Sequence, residues 1–417
     1  MTLYTAPRGT SDILPEDQAY WRFIEQKAAH ICRLYGYERI DPPIFEDTRI
    51  FIKGTGETTD IVQKEMYTFE DRSGNSLTLK PEGTPSVCRA YLEHGYNNLP
   101  QPVKLYYITP IFRYERPQAG RYRQHYQFGC EALGEADASL DAEVIDTAWQ
   151  FLKSLGLQKL LLFINSIGCP QCRPDYLKKL RAFYMGHVNE LCPDCKIRLE
   201  RNVLRLLDCK QPVCQKIVAE APKNVDYLCT PCTEHFQKLK DYLQILNIPC
   251  EVNNYLVRGF DYYTRTVFEI QPEDQRAQSA IGGGGRYDGL IETLGGKPTP
   301  GIGFGIGLER IIINLKKEGI EVPPLPSPQV FIAYIGDAAR KEAIKLAAQL
   351  RCEGIPVIQA TSAKSLKAQL RQANNLKIPK TVIIGDDVVK TATIILRDMA
   401  TSQQTMVNTK ELAALLK

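Results

Sequence analysis

The segment from Met66 to Glu131 constrains the fold most, because its apolar and polar residues alternate as they do in antiparallel β-strands. Two short runs, MYTFED and SLTLK, flank a turn at Ser73-Gly74-Asn75. Two longer runs, VKLYYITPIFRYE and YRQHYQFGCEAL, flank a loop rich in glycine and arginine. With helices predicted at 84–95 and 139–155, this pattern indicates an α+β fold rather than a doubly wound parallel sheet.

The length of 417 residues predicts two or three domains. We expect a main domain over 1–325, with a helical, cysteine-rich insertion over 168–240. A proline-rich linker, PPLPSP, ends this domain. The segment 329–417 then alternates strand-like runs (VFIAYIG, IPVIQA, TVIIG and TIILRD) with helices predicted at 337–351 and 363–372, which indicates a small α/β domain.

The first helix is predicted from Asp17 to about Leu34, with Gly36 at its end. Two prolines break the run GYERIDPPIFED that follows, so we expect it at a sheet edge or an interface. Further strands are predicted at CEVNNYLVR, YTRTVFEI and SAIGGGGRYDGL. The run GIGFGIGLERIIINL is predicted to be a strand that continues into a helix.

The net charge of +4 is unevenly distributed. Residues 328–417 carry 13 Lys and Arg against 7 Asp and Glu, residues 168–240 carry 13 against 8, and the remainder is net acidic. Clustered basic residues supply the salt-sensitive part of nucleic-acid affinity. A polyanion partner is therefore one interpretation, and a solvated basic surface without a partner is the other.

The sequence also bears on localisation. No apolar run approaches the roughly 18 residues that a membrane span needs. The N-terminal segment carries Asp12, Glu16 and Asp17 where a signal peptide would have an apolar core. We therefore expect a cytoplasmic protein with no membrane partner.

Four arginines crowd the predicted hairpin at 112–131, which predicts an anionic ligand because guanidinium groups suit bidentate phosphate contacts. Glu115 lies two residues after the first of them and on the same face, so an internal salt-bridge network is the alternative explanation. The arginines are Arg113, Arg116, Arg121 and Arg123.

The hairpin sequence FRYERPQAGRYRQHYQFGCE resembles motif 2 of class II aminoacyl-tRNA synthetases, and in detail that of the histidyl-tRNA synthetase family. The resemblance covers nearly the whole chain in the family's order. Its other segments are APRGTSDILPE, GYERIDPPIFE as motif 1, LKPEGT, LVRGFDYYTRTVFE, GGGGRYDGL and GIGFGIGLER as motif 3. The LVRGFDYY and GGGGRYDGL segments resemble the histidine enzymes in particular.

The resemblance implies a fold and an activity. The fold would be a class II synthetase catalytic domain over 1–325, built on an antiparallel sheet, with an α/β anticodon-binding domain over 329–417. The activity would be that of a histidine–tRNA ligase, which activates L-histidine with ATP and transfers it to the 3′ end of tRNA(His). A non-catalytic relative, the regulatory subunit of ATP phosphoribosyltransferase, is the alternative; it typically lacks the C-terminal domain and the intact RGxDYY signature.

The resemblance also implies catalytic and ATP-binding residues, with Mg²⁺ bridging phosphate oxygens. Arg113 would hold the α-phosphate, Arg310 the γ-phosphate, and Arg258 the α-phosphate together with the substrate carboxylate. The ATP site would comprise Arg113, Glu115, His125, Gly303, Gly305 and Arg310. Alternate glycines from Gly301 to Gly307 leave one strand face without side chains, against which a flat adenine or substrate could lie, and close packing of the sheet is the alternative.

For the amino acid, the resemblance implies that Glu82, Thr84 and Gln127 bind the α-amino group. The imidazole would be met by Glu131, Tyr263 and Tyr287, and Tyr262 would also belong to the histidine-binding residues. A buried glutamate paired with an arginine is the alternative for both carboxylates. The chain departs from the family at Lys80, where arginine is usual, and at His125, where phenylalanine often stacks on adenine.

The remaining implications concern partners. Arg116, Gln118 and Arg121 lie on the loop that in the family approaches the tRNA acceptor end, and solvation of a surface loop is the alternative. Motif 1 with its preceding helix resembles the class II dimer interface, so we expect a homodimer.

Eight of the thirteen cysteines fall between 169 and 232 in closely spaced pairs. This number and spacing match two structural zinc sites of four thiolates each, and such sites leave zinc no open position for catalysis. Disulfides, which a reducing compartment disfavours, and free thiols are the alternatives. Many relatives lack these cysteines, so zinc is not implied by the resemblance. We expect a structural module that presents basic residues to the tRNA. The candidate ligands are Cys169, Cys172, Cys192, Cys195, Cys209, Cys214, Cys229 and Cys232.

Overall fold

The structure is a computed structural model that describes residues 3–116, 121–273, 280–361, 364–386 and 391–416. The chain divides into two compact units, Met1–Pro323 and Pro324–Lys417. The strands of the first unit are β1 (Glu38–Arg39), β2 (Phe45–Asp47), β3 (Tyr67–Glu70), β4 (Ser76–Leu79), β5 (Val103–Phe112), β6 (Gln124–Leu133), β7 (Leu160–Ser166), β8 (Cys250–Val252), β9 (Thr264–Pro272), β10 (Gly282–Arg286) and β11 (Gly301–Gly307). Its α-helices are α1 (Gln18–Leu34), α2 (Thr48–Thr55), α3 (Thr84–Glu93), α4 (Ala138–Ser154), α5 (Arg173–Gly186), α6 (Pro193–Arg201), α7 (Pro212–Val218), α8 (Thr230–Ile245), α9 (Leu290–Thr293) and α10 (Leu308–Lys317).

An eight-stranded sheet forms the centre of this unit within the described residues, in the order β1-β5-β6-β11-β10-β9-β7-β8. Neighbouring strands from β5 to β7 are antiparallel, whereas the outermost strands β1 and β8 run parallel to their neighbours. Strands β2, β4 and β3 form a small antiparallel sheet. The predicted α+β class with an antiparallel sheet is confirmed.

Residue alternation along the central strands gives the large sheet two different faces. One face packs in the main core against α1, α4, α8 and α10. The strand residues on that side include Phe128, Cys130 and Ala132 of β6 and Ile302, Phe304 and Ile306 of β11. The residues between them lie on the opposite face, which α3 and α9 border. The polar side chains and glycines of β6 and β11, such as Glu131 and Gly303, lie on this second face.

A buried ion pair connects the sheet to the helical layer. Arg286, at the end of β10, is fully buried, and its Nε donates to Asp141 Oδ1 of α4 at 2.9 Å. The other carboxylate oxygen of Asp141 lies 2.8 Å from Nε2 of His235 on α8. Carbonyl oxygens of Glu135 and Asp137 also accept from the guanidinium. Such full pairing is what makes a buried charge tolerable.

The N-terminal elements agree with the sequence analysis. Helix α1 begins one residue after Asp17 and ends at Leu34, and Gly36 has a φ of 73°. Strand β1 lies at an edge of the large sheet and β2 at an edge of the small one, which agrees with the expected edge position, and the two prolines fall between these strands. The run CEVNNYLVR forms a strand only at β8. Beyond it, the amide of Asn165 donates to the carbonyls of Asn254 and Leu256 in place of a sheet partner.

The second unit is a mixed α/β fold. Its strands are β12 (Val330–Tyr334), β13 (Val357–Gln359), β14 (Lys380–Ile384), β15 (Thr393–Asp398) and β16 (Gln404–Asn408), and its helices are α11 (Asp337–Cys352), α12 (Leu366–Asn375) and α13 (Leu412–Leu416). The sheet order is β13-β12-β14-β15-β16, parallel from β13 to β14 and antiparallel beyond. Strand β16 and helix α13 were not predicted, since β16 buries only Val407 and carries no alternating pattern. The predicted helix 363–372 begins outside the described residues and lies at α12.

Helices α5 to α8 occupy the sequence between β7 and β8; α5, α6 and α7 surround a small core of their own, whereas α8 packs in the main core. The predicted helical, cysteine-rich insertion therefore has a separate hydrophobic centre, with Tyr176, Tyr184 and Leu199 among its buried residues. A search of the described residues finds no helix with the length and apolar character of a membrane span.

Candidate active site

The open face of the large sheet holds a buried carboxylate, Glu131, in the middle of β6. Its Oε1 accepts from the hydroxyl of Thr84 at 2.7 Å and from that of Tyr107 at 3.2 Å. Its Oε2 accepts from Tyr287 at 2.5 Å. A carboxylate can accept about four hydrogen bonds, so three hydroxyls of the described residues leave it able to accept one more.

A second buried carboxylate, Glu82, lies just before α3. Its two oxygens accept from the hydroxyls of Thr55 at 2.8 Å and Tyr262 at 2.7 Å. In the part of the chain that the structure describes, neither Glu82 nor Glu131 forms a salt bridge. The alternative of a glutamate paired with an arginine therefore does not describe these two side chains.

Burial changes the acidity of both groups. Removal from water, partly offset by the hydroxyl donors, raises the pKa of Glu82 to about 7 and the pKa of Glu131 to about 8. A bound cation or N–H donor stabilises the ionised form of such a carboxylate. The two glutamates thus form a pocket suited to a small ligand that carries N–H groups.

Two glycines of β11 make room for this pocket. A Cβ atom on Gly303 would lie 1.9 Å from Oε2 of Glu131, and one on Gly305 would lie 1.6 Å from Nε2 of Gln127. The bare strand face therefore accommodates the protein's own polar side chains as well as anything that lies above them. Oε1 of Gln127 is buried and has no hydrogen-bond partner among the described residues, which points to a donor supplied by a ligand.

An aromatic group closes one side of the pocket. Phe260 and Tyr262 stack with ring centroids 5.2 Å apart, and the centroids of Tyr262 and Tyr263 are 4.7 Å apart. Tyr287 meets Tyr262 edge to face at 5.8 Å. Two of these rings present their hydroxyls to the glutamates, Tyr262 to Glu82 and Tyr287 to Glu131.

Arg113 and Arg258 lie beside the carboxylate pocket. Arg113 follows the last residue of β5, one position beyond the strand in which it was predicted, and its Nε donates to the carbonyl of Pro81 at 2.8 Å. Nη1 of Arg258 lies 3.2 Å from Oε2 of Glu269 and packs over Gly283. Nε of Arg258 is buried without a hydrogen-bond partner among the described residues.

Arg310, in the first turn of α10, completes a group of three arginines. Its Nη1 donates to the carbonyl of Ala280 at 2.6 Å. Burial and the neighbouring guanidinium groups of Arg121 and Arg113 lower the pKa of Arg310. Glu269, the partner of Arg258, is also within electrostatic range of Arg310. Arg113 and Arg310 repel each other, and Glu269 connects Arg258 to the same region, so this concentration of positive charge from distant segments favours a polyanionic ligand.

The motif 2 loop carries further charge. Oε1 of Glu115 lies 4.0 Å from Arg113 Nη1, and Oε2 lies 3.5 Å from Arg121 Nη1, so one carboxylate is shared loosely by two guanidinium groups. Arg116 is exposed, and Gln118 lies outside the described residues. The salt-bridge alternative thus accounts for only part of the positive charge on this hairpin.

Two residues that depart from the family pattern have different surroundings. His125 on β6 is near Arg113 and Arg310, and burial together with these two charges lowers the pKa of its imidazole to about 3. Lys80 is fully buried, and its Nζ donates to the carbonyl of Pro42 at 3.2 Å. Its ammonium group thus contacts the motif 1 segment.

The eight clustered cysteines form two groups of four. In the first, Sγ of Cys169 is 3.7 Å from the Sγ atoms of Cys172 and Cys229, and Sγ of Cys172 is 3.9 Å from that of Cys232. In each group, all four sulfur atoms lie within 4.8 Å of one another, which could hold a metal ion. All are free thiols, so the disulfide alternative does not hold. The second group consists of Cys192, Cys195, Cys209 and Cys214.

The basic residues of the insertion are only partly available to a partner. Arg198 and Arg205 both form salt bridges with Asp60, at 3.2 and 3.3 Å. Nδ2 of Asn202 donates to Oδ1 of Asp261 at 2.7 Å. These two arginines therefore bind the main body of the same unit, and the expectation that the module presents basic residues to tRNA stays a prediction.

Several residues of the site were not identified from the sequence. Thr55 and Tyr107 donate to the glutamates, and Glu269 pairs with Arg258. Tyr107 sits two residues from Leu105 and Thr109 on the same face of β5, so strand alternation could have placed it beside the site. Thr55 could not have been found, because its contact spans 27 residues with no repeating pattern.

The surroundings of His125 lead to a pH prediction. Because the pKa of its imidazole is about 3, this ring should stay neutral between pH 8 and pH 5, so its contacts should not change over that range. In proton NMR spectra of the five histidines, the His125 signal should not shift across this range. Its assignment would come from its absence in His125→Phe. A titration midpoint near 6.5 for that signal would show that the ring is solvated.

Comparison with known proteins gives one consistent result. The sequence profile described as Histidyl-tRNA synthetase matches residues 9–170 and 201–311, and that described as Anticodon binding domain matches residues 329–417. The segment 171–200, which contains three of the clustered cysteines, falls outside the first match.

Individual proteins agree with these profiles. A histidine–tRNA ligase of Dehalococcoides mccartyi is 58% identical over 415 residues, covering 100% of this chain and 99% of that protein. One of Caldanaerobacter subterraneus is 50% identical, with full coverage of both. The crystal structure of apo S. aureus histidyl-tRNA synthetase superposes with a TM-score of 0.83 at 37% identity, covering 99% of this chain and 100% of the other. The chain belongs to the histidyl-tRNA synthetase family.

Proposed function

We propose that this protein is a histidine–tRNA ligase. It would activate L-histidine with ATP to form histidyl-adenylate and pyrophosphate, and then transfer the histidyl group to the 3′ end of tRNA(His). The observation that carries this proposal is the pocket of two buried carboxylates beside three arginines on one sheet face. The relatives of 50–58% identity over the whole chain are themselves named histidine–tRNA ligases.

Histidine binds with its imidazole toward Glu131 and its α-amino group toward Glu82, Thr84 and Gln127. Glu131 accepts a ring N–H, with Tyr263 and Tyr287 beside the ring. Tyr262 holds Glu82 in place through its hydroxyl. The buried oxygen of Gln127 suits an ammonium donor. Rejection of other amino acids follows, because a ligand without matching N–H groups would leave buried acceptors unpaired.

ATP binds above the glycines of β11 with its phosphates among the arginines. The histidine carboxylate attacks the α-phosphorus, and the bond to the leaving pyrophosphate breaks. Arg113 and Arg258 stabilise the charge that develops on the α-phosphoryl oxygens, and Arg310 holds the γ-phosphate. Mg²⁺ would accompany the nucleotide, and Glu115 would offer it carboxylate oxygens, the kind of ligand that this ion prefers. A neutral His125 would stack on the adenine, and Gly303 and Gly305 would form part of the strand face beneath the nucleotide.

The tRNA contacts come from two regions. Arg116, Gln118 and Arg121 on the motif 2 loop meet the acceptor end. The second unit, with its excess of basic residues and its match to the anticodon binding domain, meets the anticodon. These roles correspond to a catalytic domain over 1–325, with the insertion at 168–240, and an anticodon-binding domain over 329–417.

The regulatory-subunit alternative is less well supported. A chain described as an ATP phosphoribosyltransferase regulatory subunit/histidyl-tRNA synthetase from Bacillus halodurans shares the fold at 22% identity, with a TM-score of 0.66. This chain, however, carries a complete RGFDYY segment, three arginines in one region and a C-terminal anticodon-binding domain. Those features serve catalysis on tRNA and have no use in a subunit that performs no aminoacyl transfer.

Assembly and localisation complete the proposal. A homodimer is supported by β1 at a free sheet edge and by Phe45 and Phe69, large side chains that remain exposed on the small sheet. A cytoplasmic location is supported by the reduced state of the cysteines.

Exchange of pyrophosphate into ATP tests the activation step. The purified protein should catalyse exchange only when L-histidine is added, because formation of the adenylate is reversible. Absence of histidine-dependent exchange would favour the regulatory-subunit alternative.

A single methyl group added at Gly303 should greatly reduce histidine-dependent pyrophosphate exchange. Gly303→Ala places a Cβ atom onto Glu131, so histidine-dependent exchange should fall by about a hundredfold or more. Gly289→Ala is the matched control, since its Cβ atom meets nothing within 4 Å, and it should retain activity within about twofold of wild type. Equal activities of the two variants would contradict the assignment of Glu131 to the histidine pocket.

For the cysteine groups we propose structural zinc. Zinc–sulfur bonds of about 2.3 Å in a tetrahedron place sulfur atoms about 3.8 Å apart. The shortest sulfur separations of 3.7 to 3.9 Å in both groups agree with that value. Free thiols without metal would have no reason to converge in fours at this spacing. When bound, zinc would cross-link the short helices of the insertion, and it would take no part in catalysis.

Metal analysis tests this proposal. Protein purified without chelators should contain about two equivalents of zinc per chain, as eight thiolates in groups of four require. Cys352→Ser, which changes an exposed cysteine outside both groups, should keep this content. Less than about half an equivalent in either protein would contradict structural zinc.

A further inference from the structure

The loop that begins the first cysteine group is joined by main-chain hydrogen bonds to the aromatic segment of the histidine pocket. The amide of Ile167 donates to the carbonyl of Arg265 at 2.8 Å, and the amide of Arg265 donates to the carbonyl of Gly168 at 2.8 Å. Cys169 follows directly. The loop and the residues just after Tyr263 are thus paired as closely as strands in a sheet.

A side chain strengthens the same connection. Arg173, which directly follows Cys172, donates from Nη2 to the carbonyl of Tyr263 at 2.6 Å and to that of Gly168 at 3.0 Å. Its Nε donates to the carbonyl of Ile167 at 3.1 Å. One guanidinium therefore spans the cysteine loop and the main chain of a residue in the pocket.

A second chain of contacts links the other two cysteines of the first group, Cys229 and Cys232, to the histidine pocket. Cys229 and Cys232 stand at the start of α8, and His235 lies one turn further along. His235 contacts Asp141, which pairs with Arg286. Arg286 immediately precedes Tyr287, whose hydroxyl donates to Glu131. The two halves of the cysteine group are thus each linked to one tyrosine beside the imidazole position.

The second cysteine group meets the pocket segment through side chains, and no main-chain hydrogen bond joins it to Tyr262 or Tyr263 among the described residues. Arg198 and Arg205 reach the half-exposed Asp60, and Asn202 reaches the exposed Asp261. Arg205 also packs against Gly259, and Val257 packs on the core around this group, so its contacts end before Tyr262. The two cysteine groups have the same composition, but in the part of the chain that the structure describes only the first is hydrogen-bonded to the main chain of the pocket.

We propose that the group of Cys169, Cys172, Cys229 and Cys232 is a positioning device for the histidine pocket, whereas the other cysteine group only stabilises the insertion. This inference rests on the proposed function. When a metal ion joins its four sulfur atoms, the first group fixes the Gly168 loop against the start of α8. These two elements hold Tyr263 and Tyr287 in place. Metal loading of an inserted module thereby sets the affinity of the enzyme for its amino acid.

Three variants of the full-length protein test the inference. Cys172→Ser opens the first group, and Cys195→Ser makes the equivalent change in the Cys-Pro-x-Cys pair of the second. Arg173→Ala keeps all eight thiols but removes the link to Tyr263, so it remains informative if Cys172→Ser fails to fold. For each we would measure bound zinc, the KM for histidine and for ATP in pyrophosphate exchange, and amide hydrogen exchange of segment 260–266.

The expected results separate the two groups. Arg173→Ala and Cys172→Ser should raise the KM for histidine about tenfold, speed amide exchange in 260–266, and change the KM for ATP much less. Cys195→Ser should lose one zinc and keep a KM for histidine within about twofold. Arg173→Ala should retain both zinc ions.

Other results would overturn the inference. It fails if Arg173→Ala and Cys172→Ser keep both the wild-type KM for histidine and wild-type exchange in 260–266, or if Cys195→Ser raises that KM as much as they do. A wild-type protein without histidine-dependent pyrophosphate exchange would refute the proposed function instead. In that case the amide exchange measurement still decides whether the first group orders the aromatic segment.

Discussion

Burial of two carboxylates on one sheet face, with hydroxyls as their hydrogen-bond donors, is the constraint on which the rest of the site depends. An isolated charge is costly in an apolar environment, so each oxygen of Glu82 and Glu131 needs a donor or a cationic ligand. Four of these donors are Thr84, Tyr107, Tyr262 and Tyr287, from four separate segments of the chain. Gly303 is required opposite Glu131 because any side chain there would displace the carboxylate. The aromatic and glycine-rich segments therefore serve the same pair of glutamates.

The two faces of the large sheet have different roles: one packs in the hydrophobic core, and the other carries the polar residues of the site. Alternation sends apolar residues of β6 and β11 into the helical layer and leaves polar residues and glycines on the open face. On the helical side, the buried guanidinium of Arg286 is paired with Asp141 and lies away from the open face. On the open side, Arg113 and Arg121 share the carboxylate of Glu115, and both guanidinium groups lower the pKa of Arg310. Positive charge concentrated in this way favours tight positioning of a triphosphate.

The sequence predicted the elements with strong local signals. The hairpin β5–β6, helix α1 and the β11–α10 junction have clear periodicity, and the arginines and glutamates of the site lie in recognisable motifs. Contacts made across many residues could not be predicted. The partnership of Arg286 with Asp141 spans 145 residues, and spacing alone does not decide which cysteine pairs combine. The salt bridges of Arg198 and Arg205 with Asp60 were also not predicted, because composition gives the number of charges but not their neighbours. Strand β16 was missed because its pairing with β15 compensates for its weak apolar pattern.

The central claim is that a buried acceptor, Glu131, selects the amino acid through a ring N–H. The most direct measurement compares kcat/KM for L-histidine and for β-(2-thienyl)-L-alanine in pyrophosphate exchange, because the thiophene ring has a similar size and lacks nitrogen. We expect the analogue to be poorer by a factor of about 10⁴ or more, since it would leave the buried carboxylate without its ligand donor. A difference of tenfold or less would contradict the account, because it would mean that the pocket recognises only the size and shape of the ring.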